Sequence, residues 1–197
     1  MTPAPRLLAA GGVLGPAAFV AAWFVGGLRT PGYDPLRDAI SRLAAEGAGQ
    51  RPLMTSGFVA FGVLVPLAAP VLARTVGSRG VLVTATVAGL TTLAVAATPL
   101  TVEEGTRQDA LHAVWAGTGY VAMALTPLLA APSLRRLGHR RAAALSVAVG
   151  LVSAACLAGT LVLEWSGGAQ RLGLGVVDAW LACVAVAALR ARTLPRP

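Results

Sequence analysis

Hydrophobic and polar positions alternate along this chain in long blocks. Six apolar runs, read as Leu7–Leu28, Leu53–Val76, Val81–Leu100, Asp109–Leu134, Ala142–Trp165 and Leu172–Leu189, are separated by short polar stretches. As a helix rising 1.5 Å per residue, each run is long enough to cross a ~30 Å hydrocarbon layer, with the last the shortest. Helices are the expected form, because a bilayer core offers no water to satisfy backbone groups and no closed-barrel alternation is visible. The first run follows Arg6 as a signal peptide would, but it exceeds a usual signal h-region and reads as a retained span. Residues 1–197 therefore read as a single all-α membrane domain, a polytopic bundle of six transmembrane helices.

The polar stretches set the topology. Arg6, Arg74, Arg79, Arg135, Arg136, Arg140, Arg141, Arg190, Arg192 and Arg196 all fall on one side, and the positive-inside rule makes that side cytoplasmic, with both termini inside. Asp34, Asp38, Glu46, Glu103, Glu104 and Glu164 fall in the alternate loops, on the opposite, outer side. Asp109 stands at the rim of that side, and Asp178 lies inside the last run, nearer to the same rim. The inner connections are short, so their flanking helices should be antiparallel neighbours. Pro16, Pro66, Pro70 and Pro127 should kink or loosen their spans. No internal repeat is visible, which argues against an inverted-repeat transporter.

The first outer loop carries a pattern of its own. Asp34 before Pro35 reads as an N-cap with proline at the first helical position, and Gly47 as a stop. Between them Leu36, Ile40, Leu43 and Ala44 recur on one side, with Asp34, Arg37, Asp38, Ser41 and Arg42 on the other. The spacing predicts a short amphipathic helix over about 35–46, lying along the outer surface. Its polar face is either simply solvated or the underside of a lid over a pocket among the spans.

Composition agrees with the membrane reading, at 56% hydrophobic and 12% charged residues. The net charge of +8 comes from arginines flanking the spans, so nucleic acid is not an expected partner. Cys156 and Cys183 lie within apolar runs and read as small core residues.

Candidate chemistry gathers on the outer side. Asp109 and His112 are three apart at the start of the fourth span, with Trp115 and Gly119 continuing the stripe. His112 can be a general base oriented by Asp109, or Asp109 can simply cap the helix. Asp178 is an acid inside a span, which needs a partner or water. It reads as a proton donor or as an interhelical hydrogen bond that holds the bundle. Arg171, seven residues earlier, is its nearest candidate partner in sequence, and Glu164 can pair with Arg171 or rim a polar headgroup site. Trp115 and Trp180 lie deep enough to line a cavity, whereas Trp23 and Trp165 fit an interfacial belt. Ser41 is a nucleophile only if His112 approaches it in space. His139 is on the inner side, so a three-histidine zinc site is ruled out, and neither a metal nor a cofactor is expected.

The stretch Gly32-Tyr33-Asp34-Pro35-Leu36-Arg37-Asp38-Ala39-Ile40-Ser41-Arg42-Leu43, followed by Met54 and Gly57-Phe58, resembles the bacterial membrane family catalogued as domain of unknown function 998. The resemblance implies about six spans in the same order, with Tyr33 in a turn before an Asp-x-Ile-Ser-x-Leu block. It carries no reaction with it. Three readings follow. The first is an enzyme or binding protein for a lipid-like or isoprenoid small molecule in an outward-opening pocket. There Asp178, His112, Asp109, Asp38 and Ser41 would do acid/base work, and Arg171, Glu164, Trp115, Trp180 and Tyr33 would bind. The second is a small proton-coupled transporter, and the third an accessory subunit of a membrane complex. Membrane lipids are the expected surroundings, the inner (plasma) membrane the expected location, and self-association into a homo-oligomer stays open.

Overall fold

The computed structural model describes residues 3–103 and 105–191, so Glu104, Arg192 and Arg196 lie outside the described residues. Six helices run as α1 (Pro3–Leu28), α2 (Arg51–Val76), α3 (Arg79–Ala97), α4 (Arg107–Arg136), α5 (Arg140–Gly159) and α6 (Ser166–Arg190). All six are long and apolar enough to cross a membrane, and the chain is a multi-pass membrane protein. Each helix packs on the next, and α6 returns to α1, closing a ring; α2 also touches α4 and α6 across it. The α2–α3 and α4–α5 connections hold only residues 77–78 and 137–139, as expected for antiparallel hairpins.

Small residues let the helices approach closely, which is how helices associate where lipid supplies no hydrophobic drive. Gly12 on α1 sits against α2 and α6 together. A Cβ placed there would meet Ala185 Cβ at 2.9 Å, Leu72 Cδ2 at 3.3 Å and Ala68 Cβ at 3.6 Å. The buried set runs through Phe19, Phe58, Phe61, Val65, Leu72, Val177 and Leu181. A few buried hydroxyls bridge helices: Thr126 donates to Thr84 at 2.8 Å, and Ser78 donates to Leu129 O at 2.7 Å.

Two sequence expectations change. α5 stops at Gly159 rather than near 165, and α6 starts at Ser166 rather than 172. Glu164 and Trp165 are therefore exposed connector residues, and the Gly167-Gly168 pair belongs to the first turn of α6. Asp178 is consequently twelve residues inside α6, at its midpoint, roughly 18 Å along the axis rather than near the rim.

The first loop is the other correction. In place of an amphipathic helix over 35–46 there is a turn at 35–37, an extended Ala39, and a five-residue 3-10 helix, η1 (Ile40–Ala44). Ile40, Leu43 and Ala44 are buried against the bundle, whereas Leu36 is exposed. The reason lies in the carbonyls. Those of Pro35, Leu36, Arg37 and Asp38 accept from α6, through Arg171, Gly168 N, Ser166 Oγ and Arg171 again, instead of from amides one turn along.

Candidate functional site

The acid-bearing loops are tied to one another at one end of the bundle. Glu46 N donates to Leu100 O at 2.8 Å, and Gln108 Nε2 donates to the Glu46 carboxylate at 3.1 Å. The tightest tie is Arg171. Its Nη1 donates to Pro35 O at 2.7 Å, Asp38 O at 2.8 Å and Gly167 O at 2.9 Å, and its Nη2 donates to the Tyr33 hydroxyl. The guanidinium lies 5.4 Å from the ring centroids of both Trp23 and Tyr33. Burial raises the Tyr33 phenol above its ordinary value near 10, against the opposing pull of Arg171. Tyr33 in turn donates to Ala39 O at 3.1 Å. Arg171 thus holds the loop down and pairs with neither Asp178 nor Glu164.

Under η1 lies a partly open cavity of ≈ 60 Å³. That is room for about four to six waters, or for part of a larger apolar molecule. Ile40 and Ser41 line it from the loop, Phe19 from α1, Phe58 and Phe61 from α2, and Thr91 and Thr92 from α3. α4 contributes His112, Trp115 and Tyr120, and α6 contributes Gln170 and Leu174. The Phe19 ring packs 5.8 Å from Phe58 and 5.7 Å from Phe61, centroid to centroid. Gln170 joins roof to wall: its Oε1 accepts from Ile40 N at 2.8 Å, and its Nε2 donates to the Tyr120 hydroxyl.

His112 is buried, with Nδ1 2.7 Å from Thr98 O. A carbonyl only accepts, so Nδ1 carries the proton, and in the neutral ring Nε2 is left as the acceptor. Asp109 does not make that bond. Its carboxylate accepts from Thr106 N at 3.1 Å while Thr106 Oγ1 accepts from Asp109 N, a complete capping box, and Thr101 N and Oγ1 add further bonds. Thr98 therefore takes the orienting part that the sequence suggested for Asp109.

The family-model comparison matches residues 13–187 to the family described as Protein of unknown function (DUF998). The chain belongs to this family. Searches of curated proteins and of solved structures give no match. For this family member, then, the geometry itself must carry the functional argument.

The remaining sequence candidates are placed as follows. Ser41, His112 and Trp115 line the cavity under η1 together. Asp38 is drawn into its own turn, its Oδ2 accepting from Asp34 N at 2.8 Å. Trp180 is buried and donates through Nε1 to Ser146 Oγ at 2.9 Å, fixing α6 to α5 away from the cavity lining. Glu164 is exposed. Asp178 is only 3% exposed, and neither carboxylate oxygen has a hydrogen-bond partner among the described residues. At the centre of a transmembrane helix an acid costs about 2.5–3.5 kcal/mol. Its depth follows from the Gly12 contact. Two turns from Gly12, Ala185 and Ala68 toward the acid-bearing end, about 10 Å, stand Phe19, Asp178 and Phe61. Asp178 therefore shares the level of two aromatic residues of the cavity wall without itself being part of the lining.

Sequence reasoning missed Gln170, Tyr120, Thr91, Thr92 and the phenylalanines. Only Phe58 and Phe61, three apart, carried a legible stripe toward a common face. Gln170 was hidden because its segment read as a turn.

Proposed function

We propose that this protein binds a lipid-like or isoprenoid molecule in the cavity under η1. The molecule's apolar part lies among Phe19, Phe58 and Phe61, and its polar end meets Ser41, His112 and Gln170. The observation that carries the reading is this lining: aromatic walls with a few polar groups among them, the usual make-up of a small-molecule site. A conversion by acid/base chemistry fits the same site through His112, whose Nε2 is free to take a proton while Thr98 holds Nδ1. The arginine excess at the opposite end supports a cytoplasmic placement of that end and of both termini. The cavity then opens toward the outer leaflet of the plasma membrane.

The test is the composition of purified protein. Protein extracted in mild detergent should carry a hydrophobic species, identified by mass spectrometry of an organic extract, in near-stoichiometric amount. Ala116 also lines the cavity, from α4; Ala116→Phe places a ring in it and should remove that species with unchanged melting, and equal amounts in both proteins would sink the proposal.

A second reading, a proton-coupled carrier, is favoured by Asp178 alone, an acid at mid-helix without a partner among the described residues. Asp178→Asn removes the charge and keeps the shape. A carrier would lose proton uptake by proteoliposomes in this variant, and a binding protein would keep its bound species.

A further inference from the structure

The arginine-bearing end holds a second concavity, unrelated to the cavity under η1. It is a groove between α4 and α5 of ≈ 550 Å³, walled by Leu128, Pro132, Ala144 and Val147, with Arg135 and Arg140 at the end nearest the 137–139 connector. Three sources of positive potential meet there. Two are the guanidiniums, both on exposed residues. The third is the N-terminus of the twenty-residue α5, which has no acid in its first turn and no side-chain cap; its Arg140 amide donates to Gly138 O at 3.0 Å, and the next amides, of Arg141 and Ala142, are the ones that can meet an anion. Among the described residues no carboxylate opposes them: Asp34, Asp38, Glu46, Glu103, Asp109 and Glu164 lie at the other end, and Asp178 lies at mid-depth.

The geometry points to a binding site for an anionic phospholipid. The phosphate seats between Arg135 and Arg140 at the start of α5, and an acyl chain lies along Leu128, Pro132, Ala144 and Val147. Charge alone would attract anionic lipid to any arginine near this surface; the groove makes the difference, because it takes headgroup and chain together. Basic pockets between transmembrane helices suit such lipids for this reason.

The experiment reconstitutes the full chain in nanodiscs containing phosphatidylglycerol or phosphatidylcholine and counts retained lipids by native mass spectrometry. Wild type should retain phosphatidylglycerol preferentially, and Arg135→Gln with Arg140→Gln should weaken that retention by roughly tenfold or more. Arg74→Gln with Arg79→Gln, at the same end but on the α2–α3 hairpin, should leave it unchanged. Ala144→Trp keeps both charges and fills the groove, and should weaken retention as the arginine pair does, with the melting temperature as the folding control. Excess inorganic phosphate should not displace the lipid; displacement would mean that a free anion is the ligand. Equal loss in the control pair, or full retention in Ala144→Trp, would overturn the proposal and leave these arginines as topology charges.

Discussion

Single side chains divide here into those committed to the fold and those left for chemistry. Asp109 is committed. Its carboxylate completes the capping box with Thr106 and accepts from Thr101, and His112 is oriented by Thr98 instead. Asp109→Ala should therefore lower the melting temperature, through loss of the capping box, and leave the bound species in place. A drop in bound species at full occupancy of the folded state would restore Asp109 to the site. Tyr33 gives a pH prediction. Burial raises its phenol in the folded chain, so the folded state holds that proton more tightly than the unfolded state. The contribution is fully present below the unfolded value near 10 and is lost as pH rises through the higher folded value. Hydrogen exchange of the 33–42 loop should stay slow through pH 9, after correction for intrinsic exchange rates, and accelerate only at more alkaline pH. Faster opening below pH 9 would show that the phenol is not what holds the loop.

At the scale of elements, the six helices were legible because hydropathy reads the same property that the bilayer selects. The errors came where backbone geometry, not hydropathy, decided. Gly167 and Gly168 looked like a turn, yet they are helical, and they are small because the loop backbone lies against them. A Cβ on Gly167 would stand 2.4 Å from Asp38 O. Likewise Asp34-Pro35 carried a genuine start signal, but the next carbonyls bond to α6, so the helix never propagates. Tertiary hydrogen bonds over-rode a local pattern that no single stretch of sequence could reveal. Gly167→Ala tests this. Helix propensity favours the alanine by about 1 kcal/mol, whereas overpacking against backbone costs typically 1–3 kcal/mol. The loss should win, with a lower melting temperature and faster amide exchange at residues 36–42. A stabilised protein with an unchanged loop would contradict the packing described.

For the whole molecule, the sequence puts the loop acids at one end and ten of the sixteen arginines at the other, and the closed ring of helices keeps the described ones there. What it could not show was the cavity, because a cavity is made by six segments converging: α1, η1, α2, α3, α4 and α6. Ser41, His112 and Trp115 were legible as polar or aromatic outliers in apolar surroundings; Gln170 and Tyr120 gained meaning only from their mutual bond and from Ile40 N. The central claim is that an apolar molecule occupies this space. Structure determination in nanodiscs formed from native membrane extract tests it most directly. Elongated density under Ile40–Ala44, running between the rings of Phe19, Phe58 and Phe61 and ending within hydrogen-bond reach of His112 Nε2, is the predicted result. A cavity that holds only waters, or one collapsed with those rings in contact with His112, would contradict it.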